Sequence, residues 1–197
     1  MNDPKTHVAD AIARAQGELE YAGQLMNSSA GPSMTMRLET VDMGALVGRV
    51  CDFYRRIADA KDIRLVYAPE PDVPEVRADR VALAAVMDNL LSNAIKYSPH
   101  GARVTVRVRG DDDHAVCSVH DGGPGLRDDE RERLFQRGVR LSAQPTGGES
   151  VHGYGLAVAK ELMDRLGGGN WYEAAPDRGA LFSIRLPAYP PREHTLP

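Results

Sequence analysis

The sequence has little cysteine, no cluster of metal-binding residues and no long hydrophobic run. Its 197 residues include two cysteines, Cys51 and Cys117, which are too few for a disulfide framework, and no C-x-x-C or His/Cys cluster suggests structural zinc. The longest apolar run, from Val81 to Leu91, contains Asp88 and is shorter than the ~20 residues of a membrane span. The first twenty residues contain acids and lack an apolar core, so we expect no signal peptide. These absences predict a protein of the reducing cytoplasm with no direct membrane contact in this chain.

The chain also lacks an excess of positive charge. Lysine and arginine number 24 against 28 acidic residues, and the net charge is −4. Without a basic field, a generic nucleic-acid binder is disfavoured, and we expect no nucleic-acid partner. The hydrophobic fraction of 42% is near the globular norm and indicates one domain of ordinary size with a short accessory element.

The first thirty residues differ from the rest. Apolar residues recur at three- and four-residue steps from His7 to about Ser28, which predicts an amphipathic helix. A single helix of this length is marginal in water and must pack on something. Two interpretations stay open: the helix packs on its own domain, or residues 8–27 pair with a second copy as the last helix of a dimerisation bundle. The predicted organisation is a helix at 1–30, a linker at 31–41, a globular body at 42–187 and a tail at 188–197.

The body mixes helical and strand patterns. Asp42 and Asp79 are N-cap candidates for two helices, which run from Met43 to about Lys61 and from Asp79 to about Tyr97. Other patterns predict a helix at 155–166 and strands at 64–67, 104–109, 115–119, 171–174 and 180–186. Strands that neighbour in sequence join as hairpins, and the helices form a group. The predicted fold is therefore α+β, a two-layer α/β sandwich in which helices cover one face of a mixed, mainly antiparallel sheet.

One long segment, residues 126–152, follows neither pattern. Beyond a short helical piece around 128–135 it has no periodicity, and such stretches inside compact domains are usually functional or disordered. We interpret 126–152 as a mobile lid.

Three short motifs carry candidate chemistry. Asn89, Asn93 and Lys96 stand at i, i+4 and i+7 on one helix, where amide oxygens suit a hard metal ion and an ammonium suits phosphate. Asp121 follows a strand and precedes glycines, so its carboxylate can accept from an amine while bare backbone approaches a flat ring. Residues 152–156, HGYGL, open a helix whose N-terminal N–H groups can bind phosphate. Each motif alone also fits a solvated face or an ordinary turn, but their order and spacing favour one shared site.

In this order the motifs resemble the nucleotide-binding domain of two-component sensor histidine kinases, a branch of the superfamily of gyrase-type, chaperone and mismatch-repair ATPases. Residues 88–98, DNLLSNAIKYS, are similar to the family's N-box, and residues 121–125, DGGPG, to its first glycine box. Residues 134–140, LFQRGVR, resemble a weakened phenylalanine box, 153–157, GYGLA, a divergent second glycine box, and 179–182, GALF, the end-strand motif. The resemblance covers about Thr40 to Pro187 and implies a Bergerat-type ATP-binding fold.

The resemblance implies roles for individual side chains toward Mg²⁺ and ATP. Asn93 would ligate Mg²⁺ between the phosphates, with Asn89 beside it. Lys96 would contact phosphate, Tyr97 would lie against the nucleotide, and Asp121 would bind the adenine amino group.

Further residues of the implied site supply close backbone or a lid contact. The nucleotide-binding set is completed by Gly123, Gly125, Gly153, Tyr154, Gly155 and Leu156. Arg140, or alternatively Arg137, would reach the γ-phosphate from the lid, so Asn89, Lys96 and Arg140 form the expected catalytic group.

The resemblance implies phosphoryl transfer to a protein. In the hydrolysing branches, a Glu that acts on water stands four residues before the magnesium Asn, and here that position is Asn89, which cannot accept a proton. Asp88 is turned about 100° around the helix. The implied acceptor is a histidine on a dimerisation helix of the same or another chain, from which a response regulator takes the phosphoryl group.

The sequence departs from the family in the phosphoacceptor segment, in the second glycine box, and in the lid, where Gly138 stands in place of the second aromatic of the phenylalanine box. The expected phosphoacceptor segment, a His followed by an acid, is absent, because His7 is followed by Val-Ala-Asp. Either the chain is a piece of a longer kinase, which could include a membrane-bound sensor, or it acts on another protein's histidine. Val151 also replaces a glycine of the second glycine box. Two alternatives stay open: a non-catalytic signalling adaptor and a Ser/Thr kinase of the anti-sigma type.

Overall fold

A computed structural model of the chain describes residues 35–111, 113–139, 141–146, 153–175 and 178–190. The predicted helix at 1–30 lies outside these residues. The elements in chain order are β1 Glu39–Val41, α1 Met43–Ala60, β2 Arg64–Pro69, β3 Val76–Ala78, α2 Arg80–Tyr97, β4 Arg103–Gly110, β5 His114–His120, α3 Asp128–Arg131, α4 Gly155–Arg165, β6 Gly169–Ala174 and β7 Ala180–Pro187.

Both long helices begin at the predicted aspartate caps. Asp42 Oδ1 accepts the N–H of Ala45 at 2.8 Å, and Asp79 Oδ1 accepts the N–H groups of Val81 and Ala82 at 3.0 Å each. These bonds satisfy donors that have no partner within the first turn of a helix. The sequence-based starts of α1 and α2 are confirmed.

A five-stranded sheet forms the second layer. Its strand order is β2-β4-β5-β7-β6; β2 and β4 are parallel, and the other three pairs are antiparallel. Along β4 the valines Val104, Val106 and Val108 are buried, whereas Arg107 and Arg109 are exposed and Thr105 is half-buried. The buried row faces the helices, as the period of two requires for a sheet covered on one side. The predicted two-layer α+β sandwich is confirmed.

The sequence patterns missed a small second sheet. β1 and β3 pair antiparallel with Val41 opposite Val76, and Ala188 forms a bridge to Val76 as well. Residues 39–41, predicted as linker, and Ala188, predicted as tail, therefore take part in sheet pairing. Strands of three residues are too short to show an alternating pattern.

The placement of α4 matters most for the site. It packs against α2 and β6, and its first residue, Gly155, lies beside Asn89 of the polar line of α2. None of the helices in the described ranges combines the length and apolar character needed to cross a bilayer.

Candidate functional site

The polar line of α2 faces a pocket between α2 and the start of α4. Asn89, Asn93, Lys96 and Tyr97 line a cavity of about 240 Å³, and residues 153–156 form its opposite wall. The i, i+4, i+7 spacing places the three α2 side chains on one face. The structure thus brings the first and third predicted motifs together in what we name the α2–α4 pocket.

Two glycines let the start of α4 approach its neighbours closely. A Cβ on Gly155 would lie 2.5 Å from Asn89 Oδ1, which is too close for any real contact. Asn89 Nδ2 donates to the Ala85 carbonyl oxygen at 2.9 Å, so Oδ1 is the atom that faces Gly155. Gly153 has φ +71°, and a Cβ there would lie 2.7 Å from the Val139 carbonyl oxygen. Gly153 is thus required for packing against the Val139 backbone, whereas Gly155 leaves the space that the Asn89 side chain occupies.

Asp121 is a buried carboxylate at the end of β5, only 5% exposed. Its Oδ1 accepts the N–H groups of Gly123 at 2.9 Å and Ala180 at 3.0 Å. Burial raises the pKa of this carboxyl, and these two hydrogen bonds offset the rise only in part. Oδ2 accepts no hydrogen bond from the described residues, which leaves it as the acceptor for a donor that enters from outside.

Asp121 lines a narrow, mainly apolar cavity that we name the base-side recess. The recess shares Asn93, Tyr97, Leu141 and Leu156 with the α2–α4 pocket, so the two are contiguous. The recess has a volume of about 40 Å³ and opens into the larger α2–α4 pocket. A polar pocket that continues into a narrow, mainly apolar recess with one buried carboxylate acceptor has the chemistry of a nucleoside phosphate site.

Glycines hold the wall around Asp121. Gly179 has φ +97°, and a Cβ there would lie 1.9 Å from the Asp121 carbonyl oxygen. Gly125 has φ +73°, and its Cβ would lie 3.1 Å from the Gly179 carbonyl oxygen. A Cβ on Gly123 would lie 3.0 Å from Asp121 Oδ1, which is closer than an ordinary van der Waals contact. The first glycine box and the end-strand motif are thus two halves of one tightly packed corner.

Asp88 points away from the pocket. It accepts a hydrogen bond from the hydroxyl of Tyr54 on α1. Burial raises the pKa of Asp88, and the Tyr54 hydroxyl offsets the rise only in part. Burial and then the Asp88 charge also raise the pKa of Tyr54. No carboxylate lines the α2–α4 pocket among the residues that the structure describes, so this part of the site offers ligands for phosphate but no general base for water.

The structure describes only one of the two arginines that were predicted to reach the γ-phosphate from the lid. Arg140 lies outside the described residues, and its role stays a prediction. Arg137, the alternative, pairs with Glu161 on α4 and is absent from the described lining of both cavities.

Sequence reasoning missed the residues that hold segment 141–146, which supplies Leu141 and Ala143 to the base-side recess. These residues are Glu130 at one end and Lys61 at the other. Glu130 had a weak signal, since it occupies the third position of α3, where an acid can bind the N-cap backbone. Lys61 had none, because only the tertiary structure places it beside the end of α2.

Comparison with known proteins identifies the family. The family described as Histidine kinase-, DNA gyrase B-, and HSP90-like ATPase matches residues 78–190, which is more than half of the chain. The sensor protein IrlS of Burkholderia pseudomallei (strain K96243) is 31% identical over 154 residues, which are 78% of this chain and 32% of IrlS. The chain thus spans about a third of that relative's length.

Solved structures agree with this assignment. The mycobacterial sensor histidine kinase MprB is 32% identical, with a TM-score of 0.68 over 76% of this chain and 98% of that one. Full-length ShkA in complex with AMPPNP is 23% identical, with a TM-score of 0.72 over 93% of this chain and 37% of that one, and it shows the shared fold. The chain belongs to the histidine kinase-, DNA gyrase B- and HSP90-like ATPase family and is an ATP-binding catalytic domain of the sensor histidine kinase type.

Proposed function

We propose that this domain binds Mg-ATP across the α2–α4 pocket and the base-side recess and transfers the γ-phosphoryl group to a histidine on a dimerisation helix. A response regulator then takes the phosphoryl group from that histidine. The observation that carries the proposal is the α2–α4 pocket, which presents Asn89, Asn93 and Lys96 but no carboxylate in its described lining.

The side chains present fit a nucleotide and a magnesium ion. Asn93 offers an amide oxygen, the kind of hard ligand that Mg²⁺ takes one or two of while it keeps waters and phosphate oxygens. Lys96 offers an ammonium group to phosphate, and the N-terminus of α4 offers backbone N–H groups. Asp121 Oδ2 offers an acceptor to the adenine amino group at the other end. When bound, Mg²⁺ neutralises charge on the phosphates.

The transfer requires little acid–base help from the domain. The imidazole nitrogen brings its own lone pair to the new N–P bond, while the bond between the γ-phosphorus and the bridging oxygen breaks and ADP leaves with that electron pair. The domain's part is to hold the phosphates in line with the acceptor. Asn89 suits this role, because it binds without activating water.

The partners follow from the same proposal. We infer that the phosphoacceptor histidine stands on a helix of the same or another chain, that residues 8–27 mediate a homodimer, and that the site of action is the cytoplasm. ShkA, which shares the fold, is described in complex with the ATP analogue AMPPNP, and this supports ATP as the ligand here.

Calorimetric titration of ATP and ADP with and without Mg²⁺ tests the proposal. Wild-type chain should bind ATP more tightly with Mg²⁺, and Asn93→Ala should lose that Mg²⁺-dependent gain, about 10- to 100-fold in affinity. Asn170→Ala on β6, outside the described lining of both cavities, is the matched control and should bind as wild type. Unchanged Mg²⁺ dependence in folded Asn93→Ala contradicts the metal assignment. A folded wild-type chain that binds no ATP contradicts the function and favours the adaptor.

A further inference from the structure

Segment 141–146, which lines the base-side recess through Leu141 and Ala143, is attached to the body at both ends. At its first end the Ser142 N–H donates to Glu130 Oε1, and the other carboxylate oxygen of Glu130 accepts the Arg127 N–H at 3.1 Å. Burial alone would raise the pKa of Glu130, but these backbone hydrogen bonds outweigh it and lower the pKa. Glu130 is therefore a stable carboxylate anchor.

The second end is attached through Thr146. The Thr146 N–H donates to the Lys96 carbonyl oxygen at 3.0 Å, and its hydroxyl donates to the Ser98 carbonyl oxygen at 2.6 Å. Lys61 Nζ donates to Thr146 Oγ1 at 2.9 Å. The same ammonium donates to the carbonyl oxygens of Ile95 at 2.9 Å and Lys96 at 3.3 Å.

We name these hydrogen bonds of Lys61 and Thr146 the joint. It lies at the carboxyl end of α2, where carbonyl groups have no partner inside the helix and the helix dipole favours a cation. The same helix end presents Lys96 and Tyr97 to the α2–α4 pocket. One ammonium therefore ties together the end of α1, the end of α2 and the recess wall. Neither Lys61 nor Thr146 is among the described lining residues of the two cavities.

We propose that Lys61 and Thr146 are positioning residues of the nucleotide site. Their joint holds the recess wall, which includes Leu141 and Ala143, against the end of α2 while a base occupies the recess, and it thereby slows nucleotide release. The inference rests on the proposed function. If the recess wall lost this attachment, each binding event would have to order residues 141–146. The entropy cost of this ordering would make the free energy of ATP binding less favourable.

Thr146→Val is the sharpest variant, because it removes the hydroxyl but keeps the shape and the backbone hydrogen bond to α2. We expect the Kd for ATP to rise about fivefold, mainly through faster release, and hydrogen exchange of residues 141–146 to accelerate. Thr146→Ser should restore both values. Lys61→Met should act in the same direction, and the Lys61→Met/Thr146→Val pair should weaken binding less than the two single effects combined, because they share one hydrogen bond.

The experiment uses the full 197-residue chain, with calorimetry, stopped-flow release and hydrogen exchange, and thermal melts to check folding. Lys160→Met is the control, since Lys160 pairs with Asp164 on an exposed face of α4. A folded Thr146→Val chain with wild-type Kd and wild-type exchange overturns the inference. If the wild-type chain itself binds no ATP, the proposed function fails instead. The exchange measurement then still decides: faster exchange in Thr146→Val supports the joint, and unchanged exchange overturns it.

Discussion

Asp121→Asn changes the hydrogen-bonding character of one buried side chain without changing its size. In the native chain Oδ1 accepts the N–H groups of Gly123 at 2.9 Å and Ala180 at 3.0 Å. The carboxamide can keep both bonds only by placing its oxygen there, so its NH₂ group takes the place of Oδ2. The adenine amino group is also a donor. The substitution therefore replaces a hydrogen bond from adenine to the carboxylate with two donors, the NH₂ group of the new carboxamide and that of adenine, that face each other.

The magnitude follows from the hydrogen bond that is lost. A hydrogen bond to a charged group is worth about 1.5–3 kcal/mol, and an unpaired donor adds to the loss. We expect a loss of about 2–3 kcal/mol, which is roughly a 30- to 150-fold rise in the Kd for ATP. Guanine presents a carbonyl oxygen where adenine presents its amino group, so GTP affinity should fall much less.

Calorimetric titration of ATP and GTP in the presence of Mg²⁺ measures both effects. Asp164→Asn is the control, because Asp164 is exposed and pairs with Lys160 on α4. Circular dichroism should show an intact fold in both variants. If folded Asp121→Asn binds ATP within threefold of wild type, the adenine amino group does not meet Asp121 and the orientation of the nucleotide is wrong.

Two further substitutions test the packing of the site, and a third tests the buried carboxyl of Asp88. Gly179→Ala combines φ +97° with a 1.9 Å clash and should lower the unfolding free energy in urea by about 3 kcal/mol or more. Gly167→Ala, which has φ +71° but meets no described atom within 4 Å, should lower it by only about 1 kcal/mol; equal losses would contradict the steric argument. Gly155→Ala places a Cβ 2.5 Å from Asn89 Oδ1 and should displace that side chain. We expect ATP binding to weaken at least about tenfold in calorimetry, with little change in melting temperature. An unchanged Kd would show that Asn89 does not contribute to ATP binding. Asp88→Asn should raise the melting temperature by about 2–4 °C at pH 7.5. Burial raises the pKa of the Asp88 carboxyl above its ordinary value of 3.8, so its ionisation lowers the stability of the fold as the pH rises through that range. The gain in melting temperature should therefore vanish near pH 4, and a gain that does not depend on pH would show that it comes from packing.

Features that depend on local chemistry could be predicted from the sequence. The starts of α1 and α2 followed from Asp42 and Asp79, because an N-cap needs only its own helix to act. The line of Asn89, Asn93 and Lys96 followed from helical periodicity once that helix was assigned. The glycine boxes could be located, but the reason for each glycine required the structure, since the atom that a Cβ would meet belongs to a distant part of the chain.

Features that depend on tertiary position could not be predicted. β1 and β3 are too short to carry a pattern and exist through their pairing. In the sequence Lys61 is an ordinary lysine at the end of α1. Nothing in the residues beside it in the sequence indicates that its ammonium donates to Thr146 Oγ1 at 2.9 Å. Segment 126–152 lacked periodicity and was therefore interpreted as a mobile lid; an aperiodic chain can still be held by side chains far away in sequence.

The position of Asp88 bears on the choice between hydrolysis and transfer. It is adjacent to Asn89 in sequence, yet about 100° of helical rotation turns it toward α1, where the Tyr54 hydroxyl donates to it. Moving its carboxylate into the pocket would break that hydrogen bond and remove the acceptor of the Tyr54 hydroxyl proton. The chain therefore holds Asp88 on the side of α2 away from the α2–α4 pocket and presents the neutral amide of Asn89 to that pocket. Under the proposed function, such a site would hold ATP without activating water, which is what transfer to a separate histidine requires.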